Sequence, residues 1–175
     1  MEKCRGSFWT MYNEVKYAEY YYWHYKDLSE KWNRYIKAGM CIASTAGVAS
    51  WFIWQQFAIV WAIVIALSQV IRAIEHLFPF SRRITVINFF LPDLGLLINE
   101  IEHDWYKTES MDSEAINELT FEYKNRLAAL ESKYISDTYF PRNEKCFAKA
   151  LKDKEAYFEQ HYDLQNIEEM EAVNQ

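Results

Sequence analysis

The sequence predicts an all-α membrane protein: a two-helix transmembrane hairpin attached to long amphipathic cytoplasmic helices. Three observations predict it. Residues 38–71 form a run of 34 with no Asp, Glu, Lys, Arg or His, interrupted only by Gln55 and Gln56 near its middle. Outside that run, apolar and aromatic side chains recur every three or four residues over most of the chain, the period of a helix with one buried face. Breakers are scarce, with four Gly and three Pro in 175 residues, as long helices require.

The uncharged run is too long for one crossing. As a single helix it would measure roughly 50 Å, against a bilayer core of about 30 Å. Broken at Gln55-Gln56 it gives two spans, 38–54 and 57–71, each long enough if Ile36, Lys37 and Arg72 carry the helix ends into the headgroups. Lys31, Arg34 and Lys37 precede the run and Arg72, Arg82 and Arg83 follow it, while the tip carries no charge. That asymmetry places both termini in the cytoplasm. Trp51, Phe52 and Trp54 near the tip and Trp32 and Tyr35 at the base put amphipathic rings at the two interfaces. The competing reading is a buried hairpin in a soluble helical protein, a setting in which so long a run between basic flanks is unusual.

The division is then an amphipathic, aromatic-rich helix at 1–37, the hairpin at 38–71, and a cytoplasmic helical region at 72–175. Within the first, Phe8, Tyr12, Val15, Ala18, Tyr22, Tyr25, Leu28, Trp32 and Tyr35 make one stripe. Tyr20, Tyr21 and Trp23 widen it beyond a single seam, so further helices or a neighbouring subunit must cover the excess. In the hairpin, Gly39, Ala43 and Gly47 lie four apart, as do Ala58, Ala62 and Ala66. Small residues so spaced let membrane helices approach closely, and the two rows are the expected packing faces. Ser44, Thr45 and Ser68 are polar members of the spans and candidates to line a water path, the alternative being bonds to backbone or across helices.

Beyond Arg72 a helix continues until Phe78-Pro79 breaks it. Residues 84–98 are strongly apolar but carry Pro92, Asp93 and Gly95. They read as an apolar elbow, at the membrane interface or buried against the first helix, from which Leu94, Leu97, Ile98, Ile101 and Trp105 start a helical stripe. Asp112 or Ser113 caps the next helix, whose buried face is Ile116, Leu119, Tyr123, Leu127, Leu130 and Tyr134. After a turn at 136–141, a last helix from about Asn143 buries Phe147, Leu151, Phe158 and Tyr162 and ends in an acidic tail.

Composition narrows the function. A formal net charge of −6 argues against general nucleic-acid binding, which needs surplus Lys and Arg to neutralise phosphates. A mean hydropathy of −0.31 leaves most of the chain outside any bilayer. Cys4, Cys41 and Cys146 suit neither a disulfide framework nor a metal site. No apolar leader segment precedes the first helix, so the hairpin itself is expected to direct insertion. Glu75-His76 and Glu102-His103-Asp104 lack the spacing of a helical metal site, and no nucleophile motif or Gly-rich phosphate loop is present. No catalytic residue, metal site or cofactor is expected. Arg34, Lys37, Arg72, Arg82 and Arg83 form a basic layer under the hairpin, suited to anionic lipid or, if several helices or subunits converge, to an anionic ligand such as an oligonucleotide signal.

A helix rich in aromatic and charged residues leading into a tight two-span hairpin, here 17–71, followed by amphipathic helices such as 115–134 and 144–162, resembles the SLATT family. These are two-transmembrane effector domains associated with nucleotide-producing enzymes in bacterial conflict systems. The resemblance spans nearly the whole chain and rests on architecture and on the aromatic, Leu-rich and Tyr-rich character of the helices. It implies a homo-oligomeric inner-membrane effector that perforates or depolarises the membrane during phage infection. An oligonucleotide or cyclic nucleotide made by a partner nucleotidyltransferase would control it. A membrane-anchored helical scaffold without a pore is the alternative.

Overall fold

The structure, a computed structural model, describes residues 2–53 and 80–162 and, between them, residues 59, 62, 63, 66, 69 and 70. Helix α1 covers Glu2–Ile53, α2 Phe80–Lys107, a 3-10 turn Thr108–Ser110, α3 Ser113–Tyr134 and α4 Glu144–His161. The six isolated residues are also helical, and among the described residues there is no strand. The chain is therefore all-helical, as the scarcity of breakers predicts. It forms two compact units, one of Met1–Lys26 with Thr85–Gln175 and one of Asp27–Ile84.

The first unit is a bundle with an aromatic core. Phe8, Trp9, Met11, Tyr12 and Val15 of α1 meet Phe90, Leu94, Leu97, Ile98, Ile101 and Trp105 of α2, with Ile116 and Tyr123 of α3 and Phe158 of α4 closing the cluster. Trp9 lies at its centre, with ring centroids 5.0 Å from Trp105, 4.8 Å from Phe158 and 5.3 Å from Tyr162. Part of the surplus of aromatic residues on α1 is taken up by the C-terminal helices and their connection, while Trp23 is exposed. Tyr17 packs on Phe147, and Tyr22 touches both Phe90 and Phe140.

The segment 84–98 is buried against the first helix, one of its two expected places, but it is no elbow: it is an uninterrupted stretch of α2, which runs through Pro92 and Gly95. The energetics explain the difference. Proline and glycine in a helix interior cost about 3 and about 1 kcal/mol. Helical spacing buries Ile87, Phe90, Leu94, Leu97 and Ile98 to within 2 % exposure, and each such burial is worth roughly 1.5–3 kcal/mol. Burial outweighs the two breakers. Pro92 itself is on the exposed side, where the Asn88 carbonyl that it leaves without a helical donor has access to solvent.

Caps set the other boundaries. The Asp112 carboxylate accepts from the Ala115 N–H at 2.8 Å, and the Asn143 side chain accepts from Lys145 and Cys146 N–H, each at 3.1 Å, satisfying donors left over at helix starts. The predicted face of α3 holds: Ile116 and Tyr123 are buried, and Leu119, Leu127, Leu130 and Tyr134 pack against the core. On α4 the buried line is Cys146, Ala150 and Phe158. Leu151 is exposed at 38 %, one position round the helix from the line that small residues keep close to the bundle.

In the part of α1 that belongs to the second unit Ser29 is buried, Asp27, Leu28, Glu30, Asn33, Ile36 and Met40 are half-buried, and Lys31, Trp32, Arg34, Tyr35, Lys37, Ala38 and Gly39 are exposed. The stripe expected to continue through Trp32 and Tyr35 is not buried there: both rings are exposed.

Candidate membrane interface

Among the described residues, the helical stretch Ser81–Ser110 is long and apolar enough to cross a membrane, with a mean hydropathy of 1.5 over its most apolar window, one third of which is buried. Its buried face is the core of the first unit, which accounts for much of that hydropathy. On the same helix Asp93 accepts a hydrogen bond from the Tyr134 hydroxyl at 2.6 Å. Tyr134 and nearby Lys133 hold the Asp93 carboxyl below the usual carboxylate range, so α2 carries an ionised group at mid-length.

Several of the described apolar groups of the second unit are exposed. Trp32 is 55 % exposed and Tyr35 71 %; Ile59, Ile63 and Val70 are exposed at 78 %, 55 % and 51 %. Ile59, Ala62, Ile63, Ala66 and Val70 recur at helical spacing and are all exposed, with Gln69 among them. An apolar stripe of this kind is stable against hydrocarbon or another protein surface and unfavourable in water. Trp32 and Tyr35 alternate with exposed Lys31, Arg34 and Lys37, the mixture of rings and cations that suits the headgroup zone. Lys31 is tied to Asp27 at 2.6 Å.

Of the predicted basic layer, Arg34, Lys37, Arg82 and Arg83 all belong to this unit. Arg34, Lys37 and Arg82 are exposed and Arg83 is buried. Arg82 and Arg83 occupy the first turn of α2, which holds no acidic residue, the reverse of what the helix dipole favours. Arg72 lies outside the described residues, as do Ala58 and Ser68 of the predicted packing and lining sets. Ala43, Ser44, Thr45 and Gly47 fall within the backbone of α1. Gly39, Ala62 and Ala66 are exposed in the single chain, and a Cβ added at Gly39 would meet no atom within 4 Å, so these small residues are open to a neighbour.

Sequence reasoning missed a polar network in the first unit. Tyr157 and Tyr162 hydroxyls donate to Glu102 at 3.1 and 3.3 Å, and Tyr162 in turn is 3.3 Å from the Tyr12 hydroxyl. Burial, first, pushes both the Tyr12 and Tyr162 phenols well above their ordinary range; the Tyr162 contact adds to this at Tyr12, and the nearby Tyr106 and Glu102 add to it at Tyr162. Lys16, almost fully buried, pairs with Glu19 at 2.8 Å and stands 4.0 Å over the Tyr157 ring. His24 meets Asp153 at 2.6 Å. Asp104 accepts from Tyr123 at 2.7 Å and pairs with Lys107. Glu102 and Asp104, grouped with His103 in the sequence, are thereby engaged in ties between helices. The only signal for this was the density of tyrosine itself, since a buried phenol needs a partner. Among the described residues no cluster of three or more His, Cys, Asp or Glu could hold a metal. No protein-family model, curated protein or solved structure matches the chain.

Proposed function

We propose that this chain is a homo-oligomeric membrane effector, in which residues 38–71 cross the inner membrane twice and the first unit lies in the cytoplasm with both termini. The observation that carries the reading is the outward apolar surface of the second unit, Trp32, Tyr35, Ile59, Ile63 and Val70, bordered by exposed Arg34, Lys37 and Arg82. Two short helices cannot enclose a water-filled path, so several copies would supply its wall, with Ser44, Thr45 and Ser68 as candidate lining. The resemblance to SLATT effectors supplies the setting: depolarisation of the membrane in an anti-phage response, controlled by a cyclic nucleotide or oligonucleotide from a partner nucleotidyltransferase. The basic residues Arg34, Lys37, Arg72, Arg82 and Arg83 suit either that ligand or anionic headgroups.

A second reading is a membrane-anchored scaffold without a pore, favoured by the self-contained packing of the first unit. Reconstitution separates the two. Protein in liposomes loaded with a potassium-sensitive dye is expected to leak when cyclic oligonucleotides are added; retention of the ion gradient with every nucleotide tried would leave the scaffold. Extraction from membranes by high salt or alkali without detergent would reject both.

A further inference from the structure

Two helices of the first unit carry opposite charge on their outer sides. Glu114, Glu118 and Glu122 follow one another along α3 at steps of four, and Lys145, Lys149 and Lys152 along α4 at steps of four and three, so each row keeps to one side of its helix over about two turns. All six are exposed. The ion pairs of these helices among the described residues engage Arg126, Lys133, Arg142 and Asp153 and involve none of the six. Beside the acidic row the Phe121 ring is 67 % exposed; beside the basic row stands Ala148, also exposed.

The bundle sets the rows on opposite flanks. Helix α3 is tied to α2 through Asp93, Glu100 and Asp104 and α4 through Glu102, which is two residues from both Glu100 and Asp104 and so about 200° round the helix from each. Direction follows from the contacts. Tyr123 meets Asp104 and Tyr134 meets Asp93, so α3 is antiparallel to α2. Trp9 and Tyr22 of α1 meet Trp105 and Phe90 of α2, and Tyr12 and Tyr17 meet Phe158 and Phe147 of α4, so α4 is parallel to α2. A second copy set alongside in the same orientation therefore brings its α4 antiparallel to α3 of the first. In that direction the rows match charge for charge: Glu114 with Lys152, Glu118 with Lys149, Glu122 with Lys145. Phe121 then falls between Lys145 and Lys149 over Ala148, where a ring can meet alkyl stems and cations. The α4 acids Glu155 and Glu159 lie at and beyond the start of α3, the end of a helix that favours negative charge. A contact between two different faces repeats from copy to copy and closes a ring when the rotation allows it. An anionic bilayer is a poorer occupant, because Glu155 and Glu159 share the outer side of α4 with the lysines and the α3 row would stay unmatched.

We infer that α3 of one copy docks on α4 of the next through these two rows. This rests on the homo-oligomeric reading above and names its contact, whether or not the assembly conducts ions. The test uses the full chain in detergent with Cys4, Cys41 and Cys146 replaced by alanine. A chain carrying both Asn117→Cys and Ala148→Cys, exposed uncharged positions beside the two rows, is expected to give a ladder of covalent oligomers with a short bis-maleimide, whereas either cysteine alone leaves monomer, because like faces do not meet. Adding Glu114→Lys, Glu118→Lys and Glu122→Lys is expected to abolish the ladder with helicity retained, and adding Lys145→Glu, Lys149→Glu and Lys152→Glu as well to restore it. Equal crosslinking by the single-cysteine chains, or a ladder indifferent to the first reversal, would overturn the contact. An oligomeric native mass without a ladder would overturn it and leave the homo-oligomeric reading standing, while a monomeric mass would remove both. Shielding of Ala148→Cys from maleimide by anionic vesicles, with no ladder, would assign the α4 row to lipid instead.

Discussion

Replacing Gly95 by alanine tests the continuity of α2, on which the first unit depends. Gly95 is helical, its φ is not positive, and a Cβ built on it would meet nothing within 4 Å. The substitution therefore adds no clash and buries little. What changes is the freedom of the unfolded chain and the helix propensity at one interior position, together worth about 0.8–1 kcal/mol in favour of alanine. For a unit of this size that raises the melting temperature by roughly 3–6 °C. Tryptophan emission in detergent is the appropriate readout, because Trp9 and Trp105 are in contact at the centre of the first unit. An unchanged or lowered melting temperature for Gly95→Ala would mean that the backbone at 95 is not helical or that the space is filled. The elbow expected at 84–98 would then return, and with it a different partner for Leu97 and Ile98.

Two further outcomes follow from the core of the same unit. Trp9→Ala removes a ring 2 % exposed that touches Tyr12, Trp105, Phe158 and Tyr162 and is expected to cost about 3–5 kcal/mol, read as loss of a cooperative thermal transition. Burial raises the Tyr12, Tyr123 and Tyr162 phenols and takes Tyr22 up to about 12. The folded state thus favours the neutral phenol, and its stability is full below the unfolded value of about 10 and declines as pH rises above it. An ultraviolet titration with parallel circular dichroism is expected to show these phenols ionising only as helicity is lost; their ionisation near pH 10 in an intact bundle would refute the packing.

Much of the first unit was legible in the sequence because its rule is simple. Where a face meets other helices in water, the largest apolar residues mark it: Phe8, Tyr12 and Val15 on α1, Leu94, Leu97, Ile98 and Ile101 on α2, and Ile116 and Tyr123 on α3. Local breakers misled at Pro92 and Gly95, since propensity is weak beside five buried side chains in a row. Side-chain size misled on α4, where Leu151 looks like core but Cys146 and Ala150 face inward because they allow close approach. The tyrosine ties to Glu102 and Asp104 were not legible. They depend on which residues of distant helices meet, and no periodicity within one helix carries that information. In the basic layer the residue types were readable, and their burial was not: Arg82 and Arg83 adjoin in sequence, yet one is exposed and the other is not.

The exposed rings of Trp32 and Tyr35 on α1 bear on the surroundings of the second unit. Down to Tyr25 the buried residues of this helix are largely aromatic and apolar; beyond it Ser29 is buried, while Trp32 and Tyr35 are exposed. A bundle in water is stabilised by removing its largest apolar surfaces from solvent, so the biggest rings go inside. Helices in hydrocarbon gain nothing that way, because lipid tails accept those rings equally well; small and polar residues then serve better between helices. The exposed Trp32, Tyr35, Ile59, Ile63 and Val70 of the second unit fit the second rule, as the proposed membrane setting requires. Wholly aqueous surroundings would leave these five large apolar side chains in water at a cost of roughly 25 cal/mol for each Å² exposed, a cost that hydrocarbon or another protein surface removes.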